Sequence, residues 1–404
     1  MNRSRFARRG GAPAAAAVLV LAALAAPARS QESPTITADT PYYTIHAQAD
    51  ANFLREMVVR LQVLGDEYAE RVRMFGGMVR SRLHIWVAAK PEDYAKMGGT
   101  AGYGSTHIVN EHRLILHVPN PASVPWGNLQ EVGFQHFADA ALPGRAPVWA
   151  GCGLGIYYSL ARWTGDGLVA GIIPADLIRQ VQMDQKEGKA PPLDKVLPLD
   201  LQRWYQDPGQ PDRTRKAWAM VHFLMHAEGG KYRPAFAGYV QECGKGGPPM
   251  PTFFKYFGAD GKAFAAKYEQ WLASPEAGAS TALQTQAVVA TMTSFLARAQ
   301  FLKLKFAAVE EFFQAATEQK VLVDASKNAA LWLPAGLLVQ NLQEAQKLSA
   351  WGLDVKKVPP ALVLTQQDGT VYTGTFQLQE NRRPIVKVEK KEPKSQPASK
   401  PADK

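Results

Sequence analysis

The feature that most constrains the fold is a pair of helices joined by a short turn, between Gly127 and Leu160. The first helix is predicted over 127–141. Pro143-Gly144 ends it, because proline removes a backbone donor and glycine favours a turn. Pro147 suits the first turn of the second helix, where its missing N–H would have no partner in any case. The stretch therefore predicts two adjacent helices that pack against each other.

The second helix is unusually rich in glycine. Its three glycines are Gly151, Gly153 and Gly155. Each costs a helix about 1 kcal/mol relative to alanine, and such a cost is tolerated where another backbone packs closely. The same residues lack the G-x-G-x-x-G spacing and the preceding strand of a dinucleotide-binding loop. We therefore interpret them as sites of close helix packing.

Other residues of this stretch, and of two later segments, match a pattern that occurs in a known protein family. They are Gly133, Phe134, Phe137, Leu142–Arg145, Trp149, Gly153, Leu154, Tyr157, Trp218–Leu224 and Gly230–Pro234. The order of elements over residues 36–272 resembles the zincin peptidases of the Glu-ligand type, the gluzincins. It is most similar to the peptidase-MA-like families related to them. In those relatives the first helix carries His-Glu-x-x-His, and Trp-Leu-x-Glu-Gly-Leu-Ala-Glu-Tyr follows on the second.

The resemblance implies which positions would carry the chemistry. In a gluzincin two histidines and a later glutamate bind zinc, and the glutamate of the motif activates a zinc-bound water. Carried over in chain order, the motif positions are occupied here by Glu131, Val132, Gln135, Cys152 and Ile156. Val132 has no group that accepts a proton, and the Gln135 amide is a poor zinc ligand. The resemblance therefore implies a zincin scaffold without zincin catalysis, and no cofactor is expected.

A hydrolase with an altered centre is the alternative, with zinc as its cofactor in the metal-dependent forms. A shifted metal set would use Glu131, His136 and Cys152, although residues five apart face different sides of a helix. A thiol hydrolase would use Cys152 with His136 as the base. His222 and His226, four apart on one face, are a further candidate metal pair, and buried hydrogen-bonded histidines are the other interpretation.

The net charge of +10 lies mainly at the two ends of the chain. Five arginines fall within the first 29 residues, and residues 380–404 hold eight Lys/Arg against four Asp/Glu. The body between them is nearly neutral. A nucleic-acid interface needs a basic patch on the folded surface, so no nucleic-acid partner is expected.

The N-terminus has the pattern of a secretory signal peptide, predicted over residues 1–30. An arginine-rich segment precedes the apolar run Ala14–Ala26, which is shorter than the roughly 20 residues that span a bilayer. We expect an exported protein, periplasmic or extracellular, with no membrane span in the mature chain. An uncleaved signal would leave the protein anchored to the membrane.

The whole pattern predicts an α+β fold in two regions. Residues 36–272 are expected to form the zincin-like domain: a small mixed sheet with a helix, the two active-site-type helices and a helical subdomain. Residues 282–388 are expected to form a smaller region of helices and a β-hairpin. Residues 389–404, rich in lysine and proline, bury almost nothing and are predicted to be disordered.

Single elements follow from hydrophobic periodicity and turn residues. In the first region they are strands at Pro41–His46 and Arg82–Ala88, a helix capped by Asp50, and a hairpin at Thr106–Val118. In the C-terminal region they are helices at Ala282–Ala316 and Lys327–Leu348, and a hairpin that turns through Gln367-Asp368-Gly369. His107, His112 and His117 straddle the first hairpin, and their spacing does not bring them together.

Our leading hypothesis is an exported, inactive metallopeptidase relative that binds a peptide or protein partner in the old cleft. A third possibility makes the C-terminal region the functional module and the zincin-like domain its platform. The two cysteines, Cys152 and Cys243, fit either a disulfide or buried thiols.

Overall fold

The structure, a computed structural model, describes residues 35–120, 124–206, 209–348, 350–380 and 382–393. The predicted signal peptide and residues 394–404 of the predicted tail lie outside the described residues. None of the helices that the structure describes is both long enough and apolar enough to cross a membrane.

A five-stranded mixed sheet begins the described chain. Its strands are β1 Ile36–Asp39, β2 Tyr43–Ala47, β3 Leu83–Ala88, β4 Ser105–Ile108 and β5 Arg113–His117. They lie in the order β1-β2-β3-β5-β4, with β3 parallel to both of its neighbours and the two edge strands antiparallel. The predicted strands and the predicted hairpin are confirmed, and β1 is an addition to them.

A long helix, α1 (Ala51–Val72), covers one face of this sheet. The Asp50 carboxylate caps it by accepting the backbone N–H groups of Asn52 and Phe53, at 2.8 and 2.9 Å. Its apolar residues recur every three or four positions, which buries one stripe against the sheet. A short helix, α2 (Pro91–Lys96), packs Tyr94 on the opposite face.

The two central helices are α3 (Trp126–Ala141) and α4 (Val148–Ser159). Both are present within one residue of the predicted starts. One side of α3 contacts α1, β4 and β5, and another contacts α4. The same glycine-rich α4 also packs closely along α7 (Gln210–Gly230), so it lies between two helices. The axis of α7 breaks near its end, where residues 227–229 leave helical geometry.

The remaining elements of the first region build the helical subdomain. They are the short strands β6 Arg162–Trp163 and β7 Leu168–Val169, and the helices α5 Ala175–Lys186, α6 Leu201–Gln206, α8 Arg233–Gly244, α9 Pro249–Phe257 and α10 Lys262–Leu272. Together with α7 they enclose a core rich in aromatic side chains. The middle of α7 is buried nearly all round, as its continuous apolar sequence predicts.

The C-terminal region contains three helices: α11 Thr281–Phe301, α12 Val309–Thr317 and α13 Ala335–Ala345. The prediction of one continuous helix over 282–316 is wrong. The chain leaves the helix after Phe301, where Lys303 adopts a left-handed φ of 61° and the Leu304 N–H bonds to the Ala299 carbonyl. The second predicted helix is also too long, because α13 begins only after Pro334, whose ring is tolerated at a helix start.

A four-stranded antiparallel sheet completes the region. Its strands are β8 Trp351–Asp354, β9 Ala361–Thr365, β10 Val371–Gln379 and β11 Arg382–Lys391, in the order β11-β10-β9-β8. The predicted hairpin of β9 and β10 is confirmed, with Gly369 at a positive φ in its turn. The expected tail boundary is wrong for residues 389–391, which lie in β11 because they pair with the start of β10.

The described residues of the two predicted regions belong to one compact unit. The core of the C-terminal region includes Val63 of α1 and Trp163 of β6. A buried ion pair joins Arg298 of α11 to Asp166 in the β6–β7 turn. The C-terminal region is therefore packed into the fold, and its helices help to hold the β6–β7 turn in place.

Candidate functional site

The candidate site lies where α3 crosses α4. A Cβ atom added at Gly155 would lie 2.8 Å from the Gln135 Nε2 atom and 3.1 Å from the Glu131 Cγ atom. Glu131 and Gln135 therefore share the face of α3 that meets α4, as residues four apart should. The close approach is possible because Gly155 has no side chain. The crossing thus brings the degenerate motif positions of the first helix against the second helix.

Cys152 lies at the same crossing, and its thiol is buried. Its Sγ atom is 3.8 Å from the Tyr205 hydroxyl oxygen. The pKa of the Cys152 thiol is raised to about 12, mainly by burial, with the contact to Tyr205 lowering it and the nearby Glu131 raising it by smaller amounts. A thiol with this pKa is protonated at pH 7, and the thiolate is the nucleophilic form. Both Cys152 and Cys243 are free, so the disulfide that the sequence left open is not formed.

Val132, where the resemblance would place the general base, is a packing residue. It is partly buried against the main core and has no group that can accept a proton. Glu131 is half-buried, and burial raises the pKa of its carboxyl. The Gln135 Nε2 atom is buried without a hydrogen-bond acceptor among the described residues. An amide, a carboxyl and a single thiol, without an imidazole, do not fit the ligand sets that hold zinc in proteins.

His136 faces away from this crossing and towards the sheet. Its Nε2–H group donates to the carbonyl oxygen of His112, at 2.8 Å, and its side chain is fully buried. Burial lowers the pKa of His136 to about 3. The structure therefore does not bring His136 to Glu131 and Cys152. Neither the shifted metal set nor the Cys-His dyad has its groups in place.

A histidine cluster on the sheet side was missed by the sequence analysis. The rings of His107 on β4 and His136 on α3 are 5.0 Å apart, and His107 Nδ1 lies 3.5 Å from an Asp139 carboxylate oxygen. Burial lowers the pKa of His107 to about 4 and raises the pKa of Asp139. The contact depends on how α3 packs on the hairpin, so no spacing within the hairpin could indicate it.

The candidate metal pair on α7 meets protein partners instead. The rings of His222 and His226 are 4.6 Å apart. The Nε2 atom of His222 donates to the Gly171 carbonyl at 3.1 Å, and that of His226 lies 2.9 Å from the Tyr157 hydroxyl oxygen. Burial lowers the pKa of both, that of His226 to about 3. The pair has the geometry of buried, hydrogen-bonded histidines.

A metal-binding arrangement is not found elsewhere in the part of the chain that the structure describes. No group of three or more His, Cys, Asp or Glu side chains there is placed to hold an ion. Comparison with known proteins gives no match either: no family model matches the chain, and no curated protein matches it significantly. The fold class that the structure supports is α+β, with a mixed sheet, an extensive helical part and a second, antiparallel sheet.

Proposed function

We propose that this chain is an exported, zincin-like protein, similar to the peptidase-MA-like families, that binds a peptide or protein segment without hydrolysing it. The observation that carries the proposal is the α3–α4 crossing. Glu131 and Gln135 face the second helix there, as the two histidines of a zincin would, while Val132 stands in place of the base. In this proposal the packing residues of a zincin scaffold are kept and its reacting groups are replaced. The N-terminal sequence pattern supports export.

The free edge of β4, beside α3, offers a place for an extended peptide, and this surface is called the groove below. Within the described residues β4 pairs with β5 alone, so the main-chain groups of its other edge are available. Peptides commonly add as a strand to such an edge. β4 also lies against α3, through His107 and Asp139, and Tyr103 stands exposed just before it. An extended segment along β4 would therefore pass close to α3.

The alternative, a hydrolase with an altered centre, has less support. Its thiol form needs a thiolate at Cys152 and a base beside it. Burial keeps that thiol protonated, and His136 donates to the His112 carbonyl on the other side of α3. Its metal form needs a ligand set that the crossing does not supply. Binding without catalysis is the function that these side chains fit best.

The test uses the purified mature protein and a library of unstructured peptides about ten residues long. We expect no stoichiometric zinc, no cleavage, and peptide binding that EDTA leaves unchanged. Hydrogen exchange should slow in residues 103–108 when peptide is bound, because new strand contacts protect the β4 amides. The edge strand β8 (Trp351–Asp354) is the matched control and should not respond.

Two outcomes would contradict the proposal by establishing a hydrolase instead. Stoichiometric zinc with cleavage that a chelator abolishes would establish the metal-dependent hydrolase. Cleavage that is indifferent to chelators and lost in Cys152→Ala would establish the thiol hydrolase.

A further inference from the structure

The Glu131 carboxylate is a half-buried charge that lacks a partner. It has neither a hydrogen-bond donor nor a cation beside it among the residues that the structure describes, and desolvation alone shifts its pKa. Removing a carboxylate from water is costly unless another group compensates, so buried charges are normally paired. In the free protein the Glu131 carboxylate therefore lacks a group that compensates for its desolvation. A positively charged group of a ligand would supply that compensation.

The adjacent Gln135 amide lacks a hydrogen-bond acceptor. It lies one helical turn after Glu131 on the same face, and its Nε2 atom is buried without an acceptor in the described part of the chain. A buried donor that lacks an acceptor is destabilising. The crossing therefore contains two uncompensated polar side chains, and Glu131 is the one that a ligand can reach, because part of its surface is exposed.

Tyr205 lies near the Glu131 carboxylate, and Tyr103 lies near Tyr205. The Tyr205 hydroxyl contacts Cys152, and its pKa is raised by burial and by Cys152, with smaller contributions from Glu131 and Tyr103. Tyr205 is 49% exposed and Tyr103 is 64% exposed, which is unusual for aromatic side chains of this size. Aromatic faces attract ammonium and guanidinium groups. The border of the site thus favours the same kind of ligand as the carboxylate.

We propose that the groove recognises a lysine or arginine side chain of its peptide. The cationic group pairs with the Glu131 carboxylate, which keeps part of its surface exposed, beside the Tyr205 ring. This inference rests on the proposed function and names the chemistry of the ligand. A neutral side chain would leave the carboxylate unpaired, and an acidic one would be repelled.

The experiment compares matched peptides by isothermal titration calorimetry. Peptides selected from the library are synthesised with lysine, arginine, methionine or glutamate at one position and are otherwise identical. Methionine is the control for lysine, because both have long, unbranched side chains. We expect the lysine and arginine peptides to bind at least about tenfold more tightly than the methionine peptide, since hydrogen bonds to charged groups are the stronger kind.

Variants of the protein assign the preference to its residues. Glu131→Gln should abolish the preference for lysine over methionine. It should also raise the melting temperature of the free protein, because it removes an unpaired, desolvated charge. Glu310→Gln, at an exposed position of α12, is the matched control and should change neither the preference for lysine nor the melting temperature. Gln135→Leu should leave the preference for lysine over methionine unchanged, since the buried amide does not reach the peptide.

The outcomes separate this inference from the proposed function. Equal binding of the lysine and methionine peptides, unchanged by Glu131→Gln, would overturn the cation site and leave peptide binding in place. A preference for lysine that survives Glu131→Gln in a folded variant would overturn the role of Glu131. If no peptide of the library binds, both the inference and the proposed function fail.

Discussion

Replacing Arg298 with methionine is expected to lower the free energy of unfolding by about 3–5 kcal/mol. The Arg298 guanidinium donates to both carboxylate oxygens of Asp166, at 2.7 and 2.9 Å, and both side chains are 1% exposed. It also donates to the carbonyl oxygens of Ser294 and Leu331. Methionine fills much of the volume but leaves the Asp166 carboxylate buried without its cation.

Urea denaturation of the purified protein measures this effect. The double variant Arg298→Met/Asp166→Leu is the first control and should recover most of the loss, because it removes both charges from the interior. Arg179→Met is the second control. It breaks an exposed ion pair with Asp176 on α5 and should change the unfolding free energy by less than about 1 kcal/mol. A loss below about 1 kcal/mol for Arg298→Met would contradict the account of this ion pair.

Two ion pairs join the C-terminal region to the first region. The Arg298–Asp166 pair joins α11 to the β6–β7 turn, and a second ion pair joins Arg383 of β11 to Asp66 of α1 at 2.6 Å. Val63 of α1 is buried in the core that α11 and α13 build. Removing the region would therefore expose apolar surface of α1. The C-terminal region is thus packed against α1, and the possibility that it is the functional module stays a prediction.

Gly153→Ala is expected to destabilise the protein by about 3 kcal/mol, while Gly151→Ala is expected to stabilise it by about 1 kcal/mol. A Cβ at position 153 would lie 2.6 Å from the carbonyl oxygen of Ala217 on α7, and a backbone atom cannot move aside as a side chain can. A Cβ at position 151 meets nothing within 4 Å. The favourable helix propensity of alanine remains there without a steric cost.

The two glycine variants are each other's control, since both are glycine-to-alanine changes in α4, two residues apart. The changes in their unfolding free energies relative to the wild type, from urea titrations under the same conditions, should differ in sign. A Gly153→Ala variant as stable as the wild type would mean that α4 and α7 are less closely packed than the structure shows. Destabilisation by Gly151→Ala would mean that a Cβ at position 151 does meet a neighbouring group, contrary to the structure.

Much of the fold was predictable because periodicity and local signals agree. Asp50 caps α1 as the sequence indicates, and the Pro143-Gly144 turn separates α3 from α4. The failures lie where no local signal exists. The break after Phe301 contains neither glycine nor proline, and it depends on the chain turning at Lys303 to pack α12. β8 and β11 form because the β9–β10 hairpin offers edges to pair with.

The candidate site was predictable in part. The spacing of Glu131 and Gln135 places them on one face of α3, and the glycines of α4 indicate a close approach. This interpretation is correct for Gly153 and Gly155, whereas Gly151 has open space in front of it. Tyr205 at the crossing was missed, because it lies about 50 residues further along the chain and only the tertiary fold brings it to Cys152.

The central claim is that α3 and α4 keep the arrangement of a zincin site whose reacting groups have been replaced. Zinc titration of the double variant Glu131→His/Gln135→His tests it most directly. The two imidazoles would lie four apart on one helix face, and the Cys152 thiolate on α4 would be the third ligand, an established combination for zinc. Zinc would deprotonate that thiol on binding.

We expect the wild-type protein to take up no stoichiometric zinc and the double variant to bind one equivalent. Adding Cys152→Ala to the double variant should weaken binding by at least about tenfold, because a ligand from α4 is lost. A wild-type protein that carries one tightly bound zinc would contradict the claim. So would a folded double variant that binds zinc no more tightly than the wild type.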